Sequence, residues 1–251
     1  MTAREQIEAA FRSHGRALAG YLTRLVVRAD VAEELAQQAL LRALEQAELP
    51  PSPPQLRAWL FRVATNLAID HLRRHATWRE SVLDEARARA IASAEFVAQS
   101  RLLAGSPETR SIARDHLAVC MSCTLRNLAP HESAALLLHE VYDFTVDETA
   151  TVMGGSFGQI KGWIQSARAK LHARYQASCA LVSQRGVCHQ CVELDQYFGA
   201  GQGDPLAGTA RDLDARLAIV RARGEQTLGP WHRAMMRLVD EVLELEPSEP
   251  S

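Results

Sequence analysis

Apolar residues recur every three or four positions along the first third of the chain, a spacing typical of amphipathic helices. One series covers residues 7–25 and a second covers 31–44, and we expect two helices that join near Asp30. Asp30 is the predicted N-cap of the second helix, because a short side-chain oxygen can accept a free backbone N–H. A proline-rich run then ends the helix, and a third helix follows over 56–75. The apolar positions that predict the second helix are Val31, Leu35, Leu40, Leu41 and Leu44.

The same periodicity returns after an Ala-rich stretch and predicts four more helical segments. A short segment over 146–153 is followed by Gly154 and Gly155, which fit a tight turn, and by Ser156, which fits an N-cap. A short helix, a glycine-containing turn and a longer basic helix have the proportions of a helix-turn-helix. The four segments are predicted over 112–128, 131–142, 146–153 and 156–175.

These patterns predict an all-α protein with two small helical domains. We expect the first domain at 1–80, a linker at 81–110, the helix-turn-helix domain at 111–176 and a helical C-terminal extension at 177–251. The chain has 251 residues, 47% hydrophobic and 23% charged, which is typical of a soluble globular protein. No apolar run approaches the roughly 20 residues of a membrane span, and the first ten residues do not resemble a secretory signal. We therefore expect a cytoplasmic protein without a membrane partner.

The net charge of −2 conceals segments of opposite sign. Residues 30–48 contain five acidic side chains and one basic one, whereas residues 56–80 contain five arginines and two acids. Residues 156–174 contain four basic side chains and no acid. Basic segments of this kind favour contact with nucleic acid, and the acidic segment favours a different partner.

Two of these segments have features of nucleic-acid surfaces. On the helix that begins at Ser156, polar residues come early, where base edges would lie, and basic residues come later, where phosphates would lie. The helix over 56–75 combines arginines with amides and precedes Trp78, which suits single-stranded DNA. The alternative for each is an ordinary amphipathic helix with a solvated basic face.

Together the two segments resemble a known family. DVAEELAQQALLRALEQ followed by LRAWLFRVATNLAIDHLRRH resembles the second region of a bacterial sigma factor of the extracytoplasmic-function (ECF) group. LRNLAPHESAALLLHEVYDFTVDETATVMGGSFGQIKGWIQSARAKLH resembles the fourth region of the same group. The resemblance covers about residues 5–175. Two positions depart from the family pattern: Gln38, where an acid is common, and Gly162-Trp163, where Ser-Arg is common.

The resemblance implies a promoter-specificity factor without catalytic activity. Its implied partners are core RNA polymerase, through the β′ and β subunits, promoter DNA and a candidate anti-sigma factor. The polymerase-facing residues that it implies are Asp30, Glu33, Leu35, Gln38 and Arg42. Those implied at the melted minus-ten strand are Asn66, Asp70, Arg73, Arg74 and Trp78. Those expected on the minus-thirty-five duplex are Ser156, Gln159, Lys161, Gln165 and Arg168.

Five cysteines follow the linker, and four of them form two CxxC pairs. Two thiolates at this spacing can chelate one ion, and two pairs would complete a tetrahedral zinc site. Copper(I), an iron–sulfur cluster, redox sensing and plain burial are the alternatives. The predicted metal ligands are Cys120, Cys123, Cys188 and Cys191. The tail around the second pair also resembles extensions of some ECF sigma factors, which implies a regulatory appendage.

Two other functions fit parts of the sequence. The first is a self-sufficient helix-turn-helix regulator that dimerises through its C-terminal helices, and such a protein would bind a duplex site without polymerase. The second is a thiol–disulfide enzyme, which would need a βαβ pattern beside its CxxC, and the sequence lacks that pattern.

Overall fold

A computed structural model describes residues 2–45, 52–74, 127–178 and 213–222, with a few further positions between 85 and 94 and at 124–125 and 241–242. These residues form helices and turns and contain no strand, which confirms the predicted all-α fold. The helices are α1 Ala3–Val26, α2 Ala29–Leu44, α3 Pro53–Arg74, α4 Pro130–Glu140, α5 Val146–Met153, α6 Phe157–Ser178 and α7 Leu213–Ala222.

The junction between α1 and α2 differs from the prediction. Val27 adopts a left-handed conformation with φ of 58° and ends α1. Arg28 is extended and α2 begins at Ala29, so Asp30 lies inside the first turn and is not the N-cap. The Asp30 carboxylate instead accepts a hydrogen bond from the Arg28 guanidinium at 2.7 Å. The prediction was wrong because the left-handed conformation of Val27 ends α1 and α2 begins one residue before Asp30. The sequence pattern gives no signal for this conformation.

The buried side of α2 consists mainly of small residues. Ala32, Leu35, Ala39 and Ala43 are at most 4% exposed. Leu41 is 60% exposed and Leu44 37% exposed, so two of the apolar positions that predict this helix lie on its surface. Residues 32, 35, 39 and 43 share one face at helical spacing, whereas residues 41 and 44 lie on the opposite face. Three alanines allow α2 to approach the neighbouring helices closely. The buried side of α2 is therefore filled without a line of leucines.

Helix α3 begins three residues before the predicted start, at Pro53. Proline suits the first turn of a helix because its missing N–H would have no partner there. Its inner side packs against α1 and α2 through residues such as Leu60, which is 1% exposed. The Thr65 hydroxyl donates to the Phe61 carbonyl at 2.7 Å, and the Tyr21 hydroxyl therefore donates to Thr65 at 2.9 Å. This chain of hydrogen bonds satisfies the buried hydroxyl groups of Tyr21 and Thr65.

The predicted helix-turn-helix is formed by α5 and α6. Thr145 and Glu148 make a reciprocal capping box at the start of α5. Gly154 ends α5 with φ of 68°, a conformation that favours glycine, and its N–H bonds the Ala150 carbonyl. The Ser156 hydroxyl accepts from the Gln159 N–H at 3.3 Å, so the predicted cap of α6 is confirmed.

The chain divides into two compact units. The first contains Met1–His75, Ala129–Ala169 and Arg221–Thr227, and the second contains Ala76–Leu128, Lys170–Val220 and Leu228–Ser251. The first unit therefore combines helices from both predicted domains. The domain boundaries expected from the sequence stay a prediction.

Aromatic side chains join the two groups of helices within the first unit. Tyr21 and Phe61 come from α1 and α3, and Tyr142 and Phe144 come from the turn between α4 and α5. The ring centres of Phe61 and Phe144 are 4.9 Å apart, and those of Tyr21 and Tyr142 are 5.5 Å apart. The Arg57 guanidinium lies 3.9 Å from the centre of the Phe144 ring and donates to the Tyr142 carbonyl. Burial lowers the pKa of Arg57 from its ordinary value.

Candidate nucleic-acid interface

The outer face of α6 is polar at its N-terminal end. Ser156, Gln159, Lys161 and Gln165 are all exposed, as predicted for residues that face DNA. On the opposite side Ile160 and Ala167 are fully buried and Ile164 is 6% exposed. The helix is therefore held by its apolar side, and its first three turns present hydrogen-bonding groups outward.

Two glycines lie on this same outer face. A Cβ atom added at Gly158 or Gly162 would meet no heavy atom within 4 Å. Each glycine weakens an exposed helix by about 1 kcal/mol relative to alanine, and no neighbouring atom requires one here. The two positions keep the outer surface of α6 flat where a DNA backbone or groove wall could approach closely.

Arg168 differs from the other predicted DNA residues because it is half-buried and paired. Its guanidinium donates to the Glu140 carboxylate at 2.7 Å, at the end of α4. Arg221 approaches the same place, since it donates through Nε to the Glu140 carbonyl at 2.8 Å. Contact of Arg168 with a phosphate would require it to leave Glu140, so it is less accessible than Lys161.

Trp163 occupies a position where the family pattern commonly has arginine. The Trp163 ring lies 4.7 Å from the ring of His131 at the start of α4. Its side chain is half-buried. Trp163 therefore packs between α4 and α6, whereas Gly162 beside it is exposed.

A second polar face runs along α3. Asn66, Asp70, Arg73 and Arg74 lie on one side of the helix, at positions i, i+4, i+7 and i+8. Asn66, Arg73 and Arg74 are exposed, and Arg73 donates to the Asp70 carboxylate at 3.1 Å. The structure thus brings four of the five predicted minus-ten residues together. Trp78 lies outside the described residues.

The outward face of α2 is acidic at its start and apolar at its end. Asp30 and Glu33 are exposed near the start of α2, Arg42 is exposed in its last turn, and Gln38 donates to Glu34 at 3.0 Å. The hydrogen bond from Arg28 lowers the pKa of Asp30 and keeps that carboxylate charged. Leu35 is only 4% exposed and lies in the core, so its side chain does not belong to this face. The resemblance assigned Leu35 by its position in the sequence, which does not fix the side of α2 that is buried, so its place among surface residues was wrong.

Comparisons with known proteins match the two groups of helices separately. The family profile described as Sigma-70 region 2 matches residues 10–78, and that described as Sigma-70, region 4 matches residues 118–171. The probable ECF RNA polymerase sigma factor SigI of Mycobacterium tuberculosis is 27% identical over 236 residues, which cover 92% of this chain and 77% of that protein. The ECF RNA polymerase sigma factor SigG of the same organism is 27% identical over 238 residues, 89% of this chain and 62% of SigG.

The chain belongs to the ECF sigma factors of bacterial RNA polymerase. Both regions occur in the order expected from the sequence, and the SigI similarity extends over almost the whole chain. The predicted function is confirmed at this level: the protein directs RNA polymerase to promoters and takes part in transcription initiation. It binds core polymerase and promoter DNA and acts as an initiation factor.

The metal prediction is not tested by the structure of this sigma factor. Cys120, Cys123, Cys188 and Cys191 lie outside the described residues. Among the residues that are described, no group of three or more His, Cys, Asp or Glu side chains could hold a metal ion. Within the same part of the chain, no helix is long and apolar enough to cross a membrane.

The structure adds three exposed apolar residues that the sequence interpretation did not assign to any site. They are Leu41 and Leu44 on α2 and Phe157 at the start of α6. The leucines exceed what one buried stripe can hold, which is a signal available in the sequence. Phe157 gives no such signal, because only the orientation of α6 shows that its ring faces outward.

Proposed function

We propose that three exposed faces of this sigma factor each bind a different partner during promoter-directed initiation. The outward face of α2 binds core polymerase, the polar face of α3 holds the melted minus-ten strand, and the outer face of α6 contacts the minus-thirty-five duplex. The supporting observation is that each face lies opposite the buried side of its own helix. Each can therefore contact a partner without disturbing the core.

The α2 face suits a protein partner better than DNA. Carboxylates at Asp30, Glu33 and Glu34 would repel phosphates, and they would attract basic groups of the polymerase. Leu41 and Leu44 add apolar surface at the other end of the same helix. An apolar contact surrounded by charged groups is typical of protein interfaces, and the β′ and β subunits are the proposed partners.

The α3 face suits a single strand because it offers both charge and amide groups. Arg73 and Arg74 can contact the backbone phosphates, and Asn66 can form hydrogen bonds with the edge of an unstacked base. The Asp70 carboxylate holds Arg73 by a hydrogen bond. We propose that Trp78, which the sequence places just after α3, adds a stacking surface.

The α6 face suits the major groove of duplex DNA. Ser156, Gln159 and Gln165 carry hydroxyl and amide groups that can bind base edges, and Lys161 can bind a phosphate. These are the first residues of the second helix of a helix-turn-helix, the part that enters the groove in this motif. Arg168 would join them after release from Glu140.

Regulation through the cysteines is supported by their spacing alone. We propose a zinc site formed by Cys120, Cys123, Cys188 and Cys191. Zinc bound per purified chain, measured with a chromogenic chelator, should fall after Cys188→Ser and remain after Cys179→Ser. An equal zinc content in all three proteins would contradict the site. An anti-sigma factor is a further proposed partner.

Single substitutions test the division of work. Glu33→Lys should weaken binding to core polymerase, whereas Lys161→Ala should weaken promoter binding by the assembled holoenzyme and leave core binding intact. Asn66→Ala should lower the yield of open complex more than it lowers duplex binding. Thr151→Ala, an exposed position on α5 outside all three faces, is the matched control. Equal effects of the three variants on core binding, duplex binding and opening would contradict the proposed division.

A further inference from the structure

Phe157 is exposed on the helix that is proposed to contact duplex DNA. It is the first residue of α6 and is 50% exposed. Among the described residues it is one of three large apolar side chains with substantial exposure, and the other two lie on α2. An isolated exposed apolar residue needs no special explanation on an ordinary surface. Phe157 does not lie on an ordinary surface, because the first turn of this helix is the part that reaches base edges.

The fold does not require an aromatic side chain at this position. The cap of α6 is made by Ser156, whose hydroxyl binds the Gln159 N–H and whose carbonyl binds the Ile160 N–H at 3.0 Å. The buried side of the helix begins at Ile160. Phenylalanine also has a lower helix propensity than alanine or leucine, so local stability does not favour it.

The surroundings of Phe157 leave room for a base pair to approach. Gly158 follows it directly and has open space where a Cβ would lie, and Gln159 and Lys161 are exposed on the same turn. An aromatic ring cannot form hydrogen bonds with the polar groups of base edges. In the major groove the apolar group that it can contact is the C5-methyl of thymine.

We propose that Phe157 is a specificity-determining residue that contacts a thymine methyl group in the minus-thirty-five element. The proposal rests on the proposed function of α6 and extends it from general duplex contact to one chemical group. Gln159 and Lys161 supply polar contacts to the neighbouring base edges and phosphates, and Phe157 supplies the discrimination for thymine.

The test removes one methyl group at a time. Holoenzyme made from core polymerase and the full chain is used to select promoters from random duplex DNA. In the selected minus-thirty-five element each thymine is then replaced singly by deoxyuridine, which keeps every hydrogen-bonding group and lacks only the methyl. Wild-type holoenzyme should lose about fourfold in affinity at one of these positions, the effect of exposing one buried methyl group.

Variants at position 157 test whether the Phe157 ring causes this loss of affinity. Holoenzyme with Phe157→Ala should bind the thymine and deoxyuridine duplexes equally, and Phe157→Leu should retain part of the difference. Gln159→Ala is the matched control in the same turn, and it should weaken binding to both duplexes while preserving their ratio. Thermal unfolding of each variant confirms that the exposed substitutions leave the fold intact.

The outcomes separate this proposal from the function on which it rests. Promoter binding with no methyl-sensitive thymine, or with a methyl effect that persists in Phe157→Ala, would overturn the role of Phe157 alone. Failure of the holoenzyme to select any duplex element would overturn both the proposed function of α6 and the role of Phe157.

Discussion

Glycine residues in this protein have different physical roles at different positions. Gly154 adopts a left-handed conformation that ends α5, and any other residue there would be strained. Gly162 lies in regular helix with open space around it, so its lack of a side chain costs stability and serves no packing. We therefore expect that the absence of a side chain at Gly162 allows a partner molecule to approach α6 closely.

Gly162→Ala should therefore stabilise the protein and impair promoter binding. We expect the free energy of unfolding to rise by about 1 kcal/mol, because alanine favours the helix. Duplex affinity of the holoenzyme should fall because the added methyl group stands between α6 and the DNA. The measurements are chemical denaturation and promoter titration.

Gly15→Ala in the middle of α1 is the control for this prediction. A Cβ there would lie 3.8 Å from Phe11, an ordinary contact, so the stability should rise by a similar amount. Promoter affinity should not change, since Gly15 is outside the proposed interfaces. A loss of promoter affinity in both variants would mean that stiffening the helices, not contact with DNA, is responsible.

We expect His14 to make the stability of the first unit depend on pH. Burial and the nearby Arg57 guanidinium lower the pKa of His14 below its ordinary value of 6.5. The unfolded chain therefore binds a proton at a higher pH than the folded one, and stability falls as the pH drops from 6.5 towards the folded pKa.

His14→Gln should reduce this acid sensitivity. The drop in Tm between about pH 7.5 and about pH 5.5 should be smaller in the variant, because one proton-linked destabilisation is removed. His172→Gln, at an exposed position on α6, controls for the loss of a histidine. A drop in Tm as large as in the wild type would show that His14 does not contribute.

At the scale of helices, α2 shows what the sequence could and could not predict. Its existence and acidic start follow directly from periodicity and charge. Its orientation does not, because leucines at 35, 40, 41 and 44 cover more than one face, and alanines rather than leucines fill most of the buried line. For the turn between α5 and α6 the prediction succeeded. The glycines fix where α5 ends, and the Ser156 cap fixes where α6 begins.

The exposed leucines of α2 lead to a prediction about polymerase binding. Leu41→Glu should leave the fold intact, because the side chain is 60% exposed. It should weaken binding to core polymerase by about 30-fold, the effect of losing a contact worth about 2 kcal/mol at an interface. Binding can be measured by titrating fluorescently labelled sigma factor with core enzyme.

Leu35→Ala provides the opposite case on the same helix. Its side chain is buried, so the variant should lose about 2–5 kcal/mol of folding stability. Where the variant remains folded, it should bind core polymerase normally. Normal binding by Leu41→Glu would contradict the proposed use of the α2 face.

At the scale of the molecule, the first unit contains helices from both the region 2 match and the region 4 match. A unit of about 120 residues has a radius of gyration of about 14 Å, and hence a diameter of about 35 Å. The minus-ten and minus-thirty-five elements are about 25 base pairs apart, or roughly 85 Å of duplex. The first unit is therefore too small to bind both promoter elements at once while Arg57 stacks on Phe144.

We expect the two regions to separate when the protein binds polymerase and promoter DNA. Dyes attached through unnatural amino acids at Ser13 and Thr151, both exposed and outside the three faces, report the distance between α1 and α5. Energy transfer should be high in the free protein and low in the open complex. Equally high transfer in an active open complex would contradict the expected separation.

The central claim is that this chain selects transcription start sites only together with polymerase. The most direct measurement is transcription in vitro by core RNA polymerase on fragmented genomic DNA of the source organism, with the purified chain present or absent, followed by mapping of RNA 5′ ends. We predict chain-dependent start sites that share one element near minus ten and another near minus thirty-five. No chain-dependent start sites, or protection of a duplex site by the chain without polymerase, would contradict the account.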